Sequence, residues 1–156
     1  MHIPSCRIDL QLMPTQYEGM PLLPVSPNSP IMLRKQVQEF AFYFQREFDY
    51  DFVQYLAKEK TSYSAYLIAN QDFYRPRMWV GACCFRERSS GNALQWIWIH
   101  PFWRNRGILK ASWPALREHH GNFAVEGPLS PAMESFLLKY NKCSQSWANN
   151  CHFDKQ

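Results

Sequence analysis

The sequence has no long hydrophobic run and no apolar leader core at its start. A membrane-spanning helix needs ~20 consecutive apolar residues, and a secretory leader needs ~7–15 of them behind a basic start. Neither pattern is present, so a cytoplasmic protein with no membrane partner is expected. Strong charge of either sign is also missing: 17 Lys and Arg against 13 Asp and Glu leave a net +4. No basic run is longer than the pair Arg34-Lys35. This balance suits an anionic ligand, and without a reader motif it argues against nucleic acid as a partner. Cysteine is sparse and odd in number, with five residues: Cys6, Cys83, Cys84, Cys143 and Cys151. An odd set without a leader reads as reduced thiols and not as a disulfide framework. Cys143, Cys151 and His152 match no zinc spacing, so no metal is expected. Cys83-Cys84 lies in an apolar run, where small buried residues belong.

The rest of the composition is globular. Of 156 residues, 46% are hydrophobic and 19% charged, which suits one core in a single domain spanning 1–156. Aromatics reach 16%, which a packed core absorbs and which also suits an apolar cleft or partner surface. The first thirty residues hold six prolines. Each removes a backbone donor, so 14–30 is expected to be extended or irregular, an arm or a connector, after a strand at 7–12. Ser29-Pro30 reads as an N-cap and first helical residue, followed by Val37, Phe40, Ala41, Phe44 and Phe48 at helical spacing. A second, shorter helix is expected to carry Phe52, Val53, Leu56 and Ala57.

The period then changes. Strands are expected at 64–70, 79–85 and 93–100, with a turn at 87–92 and hairpin connections. In the third strand Trp96, Trp98 and His100 share one face and Ile97 and Ile99 the other, so both faces are covered. A tight connection, 101–106, leads to a helix from Gly107 to about His120, which Pro114 should kink or restart. A short strand at 122–126 and a helix from Ser130-Pro131 follow, and the tail 141–156 has room for one more strand.

The connection between the third strand and its helix carries the chemistry. The first N–H groups of a helix have no internal partner and sit at the positive end of its dipole. They make an anion site, strongest for phosphate or pyrophosphate. Gly107 leaves the backbone open to a ligand, and Arg104 and Arg106 add charge at the mouth. An ordinary strand-to-helix turn with solvated arginines carries the same residues.

The run Trp98-Ile99-His100-Pro101-Phe102-Trp103-Arg104-Asn105-Arg106-Gly107-Ile108-Leu109 resembles motif A of the GNAT acetyltransferase superfamily. There a central strand ends in an Ile-His-Pro-like run and an R/Q-x-x-G-x-G/A turn opens a helix; Leu109 stands where Gly or Ala is usual. Residues 125–132, leading into Phe136-Leu137-Leu138-Lys139-Tyr140-Asn141, resemble motif B. Together these pieces are similar to the catalytic domain of the cohesin acetyltransferases, across about 63–141, without their zinc finger.

The resemblance implies an α/β fold of the α+β kind, with a mixed, mostly antiparallel central sheet flanked by helices. It implies an acyl-CoA-dependent N-acetyltransferase, with acetyl-CoA as co-substrate and an amine of a small molecule or protein as acceptor. A GNAT-like binding module without turnover is the alternative. The implied cofactor residues are Ile97, Trp98 and Ile99 along the pantetheine, and Arg104, Asn105, Arg106, Gly107, Ile108 and Leu109 around the pyrophosphate. The strands carrying Ile99 and Val125 would splay apart around the thioester. Glu126 is the candidate base and also reads as an exposed strand-end carboxylate. Tyr140 is the candidate acid, because Leu137 occupies the family's tyrosine position. Ser130 is a candidate contact to substrate or thiolate and also reads as an N-cap. An open sheet edge left by the short tail would suit a homodimer.

Overall fold

The computed structural model describes residues 10–59, 63–72, 74–89 and 91–143, without the side chains of 141–143. Five strands form one sheet in the order β1 (Leu22–Val25), β2 (Ser64–Ala69), β3 (Trp79–Arg88), β4 (Gly91–Ile99) and β5 (Ala124–Val125). The first four pair antiparallel and β5 joins β4 in parallel. This is the mixed, mostly antiparallel α/β architecture that the sequence implies.

Three helices cover the sheet: α1 (Ile31–Phe48), α2 (Ile108–His120) and α3 (Pro131–Cys143). Leu33, Val37, Phe40, Ala41 and Phe44 make a buried stripe on α1, packed with Trp96, Trp98 and Cys84 on one face of the sheet. Ile108, Trp113 and Leu116 of α2, with Met133 and Leu137 of α3, pack with Val80, Cys83 and Leu94 on the other. The alternation read from β4 holds: Trp96 and Trp98 enter the α1 layer, while Ile97 and Ile99 pack against the α2–α3 layer. Among the described residues no helix is long and apolar enough to cross a membrane.

Several local expectations change. Helix α1 starts one residue later than Pro30, without a side-chain cap. Ser29 Oγ instead accepts the N–H of Ser26 at 2.9 Å, closing the preceding turn. Among the described residues between α1 and β2 the expected second helix is absent. Asp49 ends α1 in the left-handed conformation, and the chain beyond it buries Tyr55 and Ala57 on either side of exposed Leu56. That is the period of an extended chain. Side chains of α1 bind its backbone in place of helical bonds: Gln38 Oε1 accepts from Ala57 N–H, and Arg34 Nη1 donates to Ala57 O.

The proline-rich arm is more ordered than its composition implies. Thr15–Tyr17 forms a 3-10 turn, and Pro24 sits within β1, where an edge strand tolerates its missing donor. Of the expected strand at 7–12, Leu12 makes an isolated bridge to Met78, and 7–9 lie outside the described residues. Beside it the β3–β4 hairpin is tighter than expected, with pairing that continues to Arg88 and Gly91. Helix α2 runs through Pro114 without a break. Pro114 and Lys110 are both exposed, so water can take the carbonyl that loses its donor. The further strand expected in the tail, and Cys143, Cys151 and His152, lie outside the described side chains.

The paired thiols of β3 set an alkaline limit. Burial, then the neighbouring Glu126 carboxylate, pushes Cys84 from 9.0 to about 12. Burial, then Cys84, pushes Cys83 well above 9.0. Between these values the unfolded chain releases protons that the folded chain keeps. Stability is therefore full below about pH 9 and falls as pH rises, by ~1.4 kcal/mol per pH unit for each thiol. Urea unfolding at stepped pH measures this. Replacing both cysteines with alanine should flatten the alkaline slope even as it lowers stability overall.

Candidate functional site

Strands β4 and β5 meet over two residue pairs only, Ala93↔Ala124 and Leu94↔Val125, closed by Glu126 N–H donating to Leu94 O at 2.9 Å. Beyond Leu94 the strands part. The cause lies in β4: Phe85 pairs with Leu94 and Cys84 with Trp96, so Gln95 is an extra, bulged residue. A bulge bends its strand and increases its twist. It also turns Gln95 toward the α1 layer, where its Nε2 donates to Gln54 Oε1 at 2.8 Å.

Past the bulge, β4 has one bonded edge and one open edge. His100 N–H donates to Val80 O at 2.8 Å, and antiparallel alternation turns the backbone of Trp98 toward β3 as well. Ile97 therefore presents its N–H and C=O to the gap and Ile99 its N–H, while Ile99 O accepts from Arg104 Nε. Gly81 permits the tight β3–β4 approach here, because a Cβ would lie 2.3 Å from Trp98 O. Of the three β4 residues named from the sequence, two face the gap with their backbone. Trp98 is buried in the α1 layer, its Nε1 donating to Glu47 Oε1 at 3.1 Å.

The connection to α2 is a 3-10 turn, Pro101–Trp103, capped by His100 Nδ1, which accepts the N–H of Phe102 at 3.1 Å. Asn105 (φ 60°) and Gly107 (φ 77°) then take left-handed conformations, and Gly107 caps α2. Ala111 N–H bonds to Gly107 O at 2.9 Å, so Ile108, Leu109 and Lys110 carry the orphan N–H groups of the helix start. A Cβ on Gly107 would meet no atom within 4 Å, so this backbone borders open space. Beside it lies a cavity of about 370 Å³ lined by Gln71, Asp72, Trp103, Arg106 and Ile108.

The two arginines of the turn differ. Arg104 folds inward: its Nε donates to Ile99 O at 2.7 Å, and its Nη1 and Nη2 bind buried Glu47 at 3.0 and 2.6 Å. Its guanidinium lies 5.6 Å from the Trp98 ring. The sequence expectation of Arg104 charge at the mouth does not hold for its side chain, which the ion pair draws into the fold. Arg106 stays at the surface, donating to Phe102 O at 2.6 Å and stacking over that ring. The role of Glu47 was not legible, since it is one polar residue among many on α1.

On the other strand, Glu126 follows the last β4–β5 rung. Its Oε1 takes Arg86 Nε at 2.5 Å and Arg88 Nη2 at 2.8 Å, and its side chain is mostly buried. Ser130 Oγ accepts the N–H of Met133 at 3.1 Å, capping α3. Tyr140 is half-buried on α3 beside Phe136 and Trp113, one turn beyond the fully buried Leu137. At the bulge, Gln95 Oε1 and Trp96 Nε1 are buried without a hydrogen-bond partner. Among the described residues no group of three or more His, Cys, Asp or Glu could hold a metal ion.

The architecture is that of a GNAT-like fold. Among solved structures, the xEco2 acetyltransferase domain bound to a CoA conjugate superposes with a TM-score of 0.59 at 16% identity, over 78% of this chain and 87% of that one. A Bacteroides thetaiotaomicron protein assigned to the GNAT family of acetyltransferases gives 0.47 at 14% identity, over 78% of this chain and 69% of that one. No family model matches the sequence, and no curated protein is similar enough to register.

Proposed function

We propose that this chain is an acyl-CoA-dependent N-acetyltransferase of the cytoplasm that moves an acetyl group from acetyl-CoA to an amine. One observation carries the reading: β4–β5 pairing stops after two rungs at a bulge in β4, beside an open helix start, in a fold that superposes on an acetyltransferase domain bound to a CoA conjugate. The pantetheine arm pairs with the backbone of Ile97 and the N–H of Ile99. The pyrophosphate takes the N–H groups of Ile108, Leu109 and Lys110, with Gly107 admitting it and the backbones of Asn105 and Arg106 flanking it.

The amine nitrogen attacks the acetyl carbonyl carbon, the C–S bond breaks, and coenzyme A leaves as thiolate. The protein positions the two reactants and moves two protons. Glu126 takes the proton of the attacking amine. Tyr140 is the candidate donor to the thiolate, and Ser130, at the start of α3, is a candidate contact to substrate or thiolate. A second reading, a module that binds coenzyme A without turnover, is favoured by Leu137, which places an apolar, fully buried side chain where the family carries its tyrosine.

Acetyl-CoA should raise the melting temperature with the logarithm of its excess over Kd. No shift at millimolar ligand would refute both readings. Thiol release with a panel of primary amines then separates enzyme from binder. Glu126→Gln should lower kcat by ~100-fold or more, as expected for loss of a general base, while leaving the Kd of acetyl-CoA within about twofold. A kcat unchanged by this substitution removes Glu126 from the chemistry.

A further inference from the structure

The cavity beside α2 carries charge that the helix start does not use. Arg106 lies with its guanidinium carbon 4.3 Å from the Phe102 ring centroid, and Arg75 of the β2–β3 loop lies 4.9 Å from the same centroid. Both also lie over Trp103, at 5.7 and 5.6 Å. Two like charges have been gathered on one pair of rings, 45% of Phe102 remaining exposed. Asp72 binds Arg75 at 3.2 Å, and its other oxygen accepts the N–H of Tyr74 at 2.9 Å. Arg106 has no ion pair among the described residues. Two guanidiniums and one carboxylate leave one positive charge facing outward.

The loop that brings Arg75 here is anchored. Asn70 is fully buried, with its Nδ2 donating to Pro76 O at 3.0 Å and its Oδ1 accepting from Met78 N–H at 2.9 Å. Arg77 Nη1 bonds to the Asn70 carbonyl. Guanidiniums stacked on rings and held at their bases lose little freedom on binding a phosphate, and their planar fork matches its oxygens. The exposed part of that ring leaves apolar area for a base to lie against.

We propose that Arg75 and Arg106, stacked on Phe102, hold the 3′-phosphate of coenzyme A, with the adenine lying against the exposed edge of that platform. The inference rests on the cofactor reading above and extends it to a loop outside the turn. A cofactor whose pyrophosphate occupies the start of α2 has one remaining anionic group, and this is the cationic surface next to Ile108, which borders both the cavity and the helix start. The structure thereby assigns a preference for coenzyme A over its dephospho form to residues 75, 102 and 106.

Calorimetry on the full chain with coenzyme A and with dephospho-CoA, at equal ionic strength, tests it. The wild type should prefer coenzyme A by roughly tenfold, the scale of one charge-assisted hydrogen bond. Arg75→Ala and Arg106→Ala should each weaken coenzyme A alone and bring the ratio toward one. Arg75→Lys keeps the charge and should retain most of the preference, which also guards against a misfolded alanine variant. A wild-type ratio near one, or a ratio that neither alanine variant changes, overturns the proposal while leaving the cofactor reading intact. If neither ligand binds the wild type, both fail together.

Discussion

Gly107→Glu should weaken acetyl-CoA binding by ~100-fold or more, measured by calorimetry. Gly107 caps α2 at φ 77° and ψ 8°, and a Cβ there meets nothing within 4 Å. The substitution therefore makes no clash. It costs backbone strain of ~1–2 kcal/mol and places a carboxylate where the bound pyrophosphate would lie. Two like charges ~4 Å apart repel by ~4 kcal/mol in a partly solvated site, which dominates the strain. Asparagine separates the two effects, since it visits the left-handed region readily and carries no charge. Gly107→Asn should fold and bind within about tenfold of wild type. Equal losses in both variants would assign the effect to the backbone, and wild-type affinity in Gly107→Glu would remove this turn from the cofactor site.

Gly81→Ala should cost ~3 kcal/mol or more in urea unfolding. A Cβ at this position lies 2.3 Å from Trp98 O and 3.0 Å from Ile99 Cα, and both atoms are backbone. No rotamer change relieves such a contact, so β3 and β4 must separate there. Overpacking in a well-filled core costs ~1–3 kcal/mol when side chains can yield, and here they cannot. The displaced segment contains Ile97 and Ile99, so acetyl-CoA affinity should fall in whatever fraction stays folded. A loss below about 1 kcal/mol would show that the two strands tolerate a wider spacing than their hydrogen bonds imply.

Much of this molecule was legible in its sequence, for reasons that differ by element. The stripe from Val37 to Phe44 and the alternation in Trp96-Ile97-Trp98-Ile99 follow periods of 3.6 and 2, which survive because each buries one apolar face. The turn before α2 was legible through Gly107 and its place after a central strand. Other features depended on distant partners. Phe52, Val53, Leu56 and Ala57 suit a helix by spacing, yet Gln38 and Arg34 of α1 bind that backbone and hold it extended. Arg104 looked like a surface charge until Glu47, 57 positions away, drew it inward. The bulge at Gln95 exists only in the pairing of two strands and leaves no mark in either alone. Arg75 lies in a loop with no motif, and only folding brings it to Phe102.

The pair between Arg104 and Glu47 has a thermodynamic consequence. Glu47 belongs to α1, and Arg104 belongs to the turn that precedes α2, so one ion pair joins the two helical layers around the end of the sheet. A displacement of the turn would therefore be felt in α1 through this contact, and the reverse. Linkage makes the exchange reciprocal: two ligands coupled through it alter each other's affinity by the same factor. Glu47→Gln, which keeps the shape of the side chain and removes its charge, is the substitution that would weaken this link.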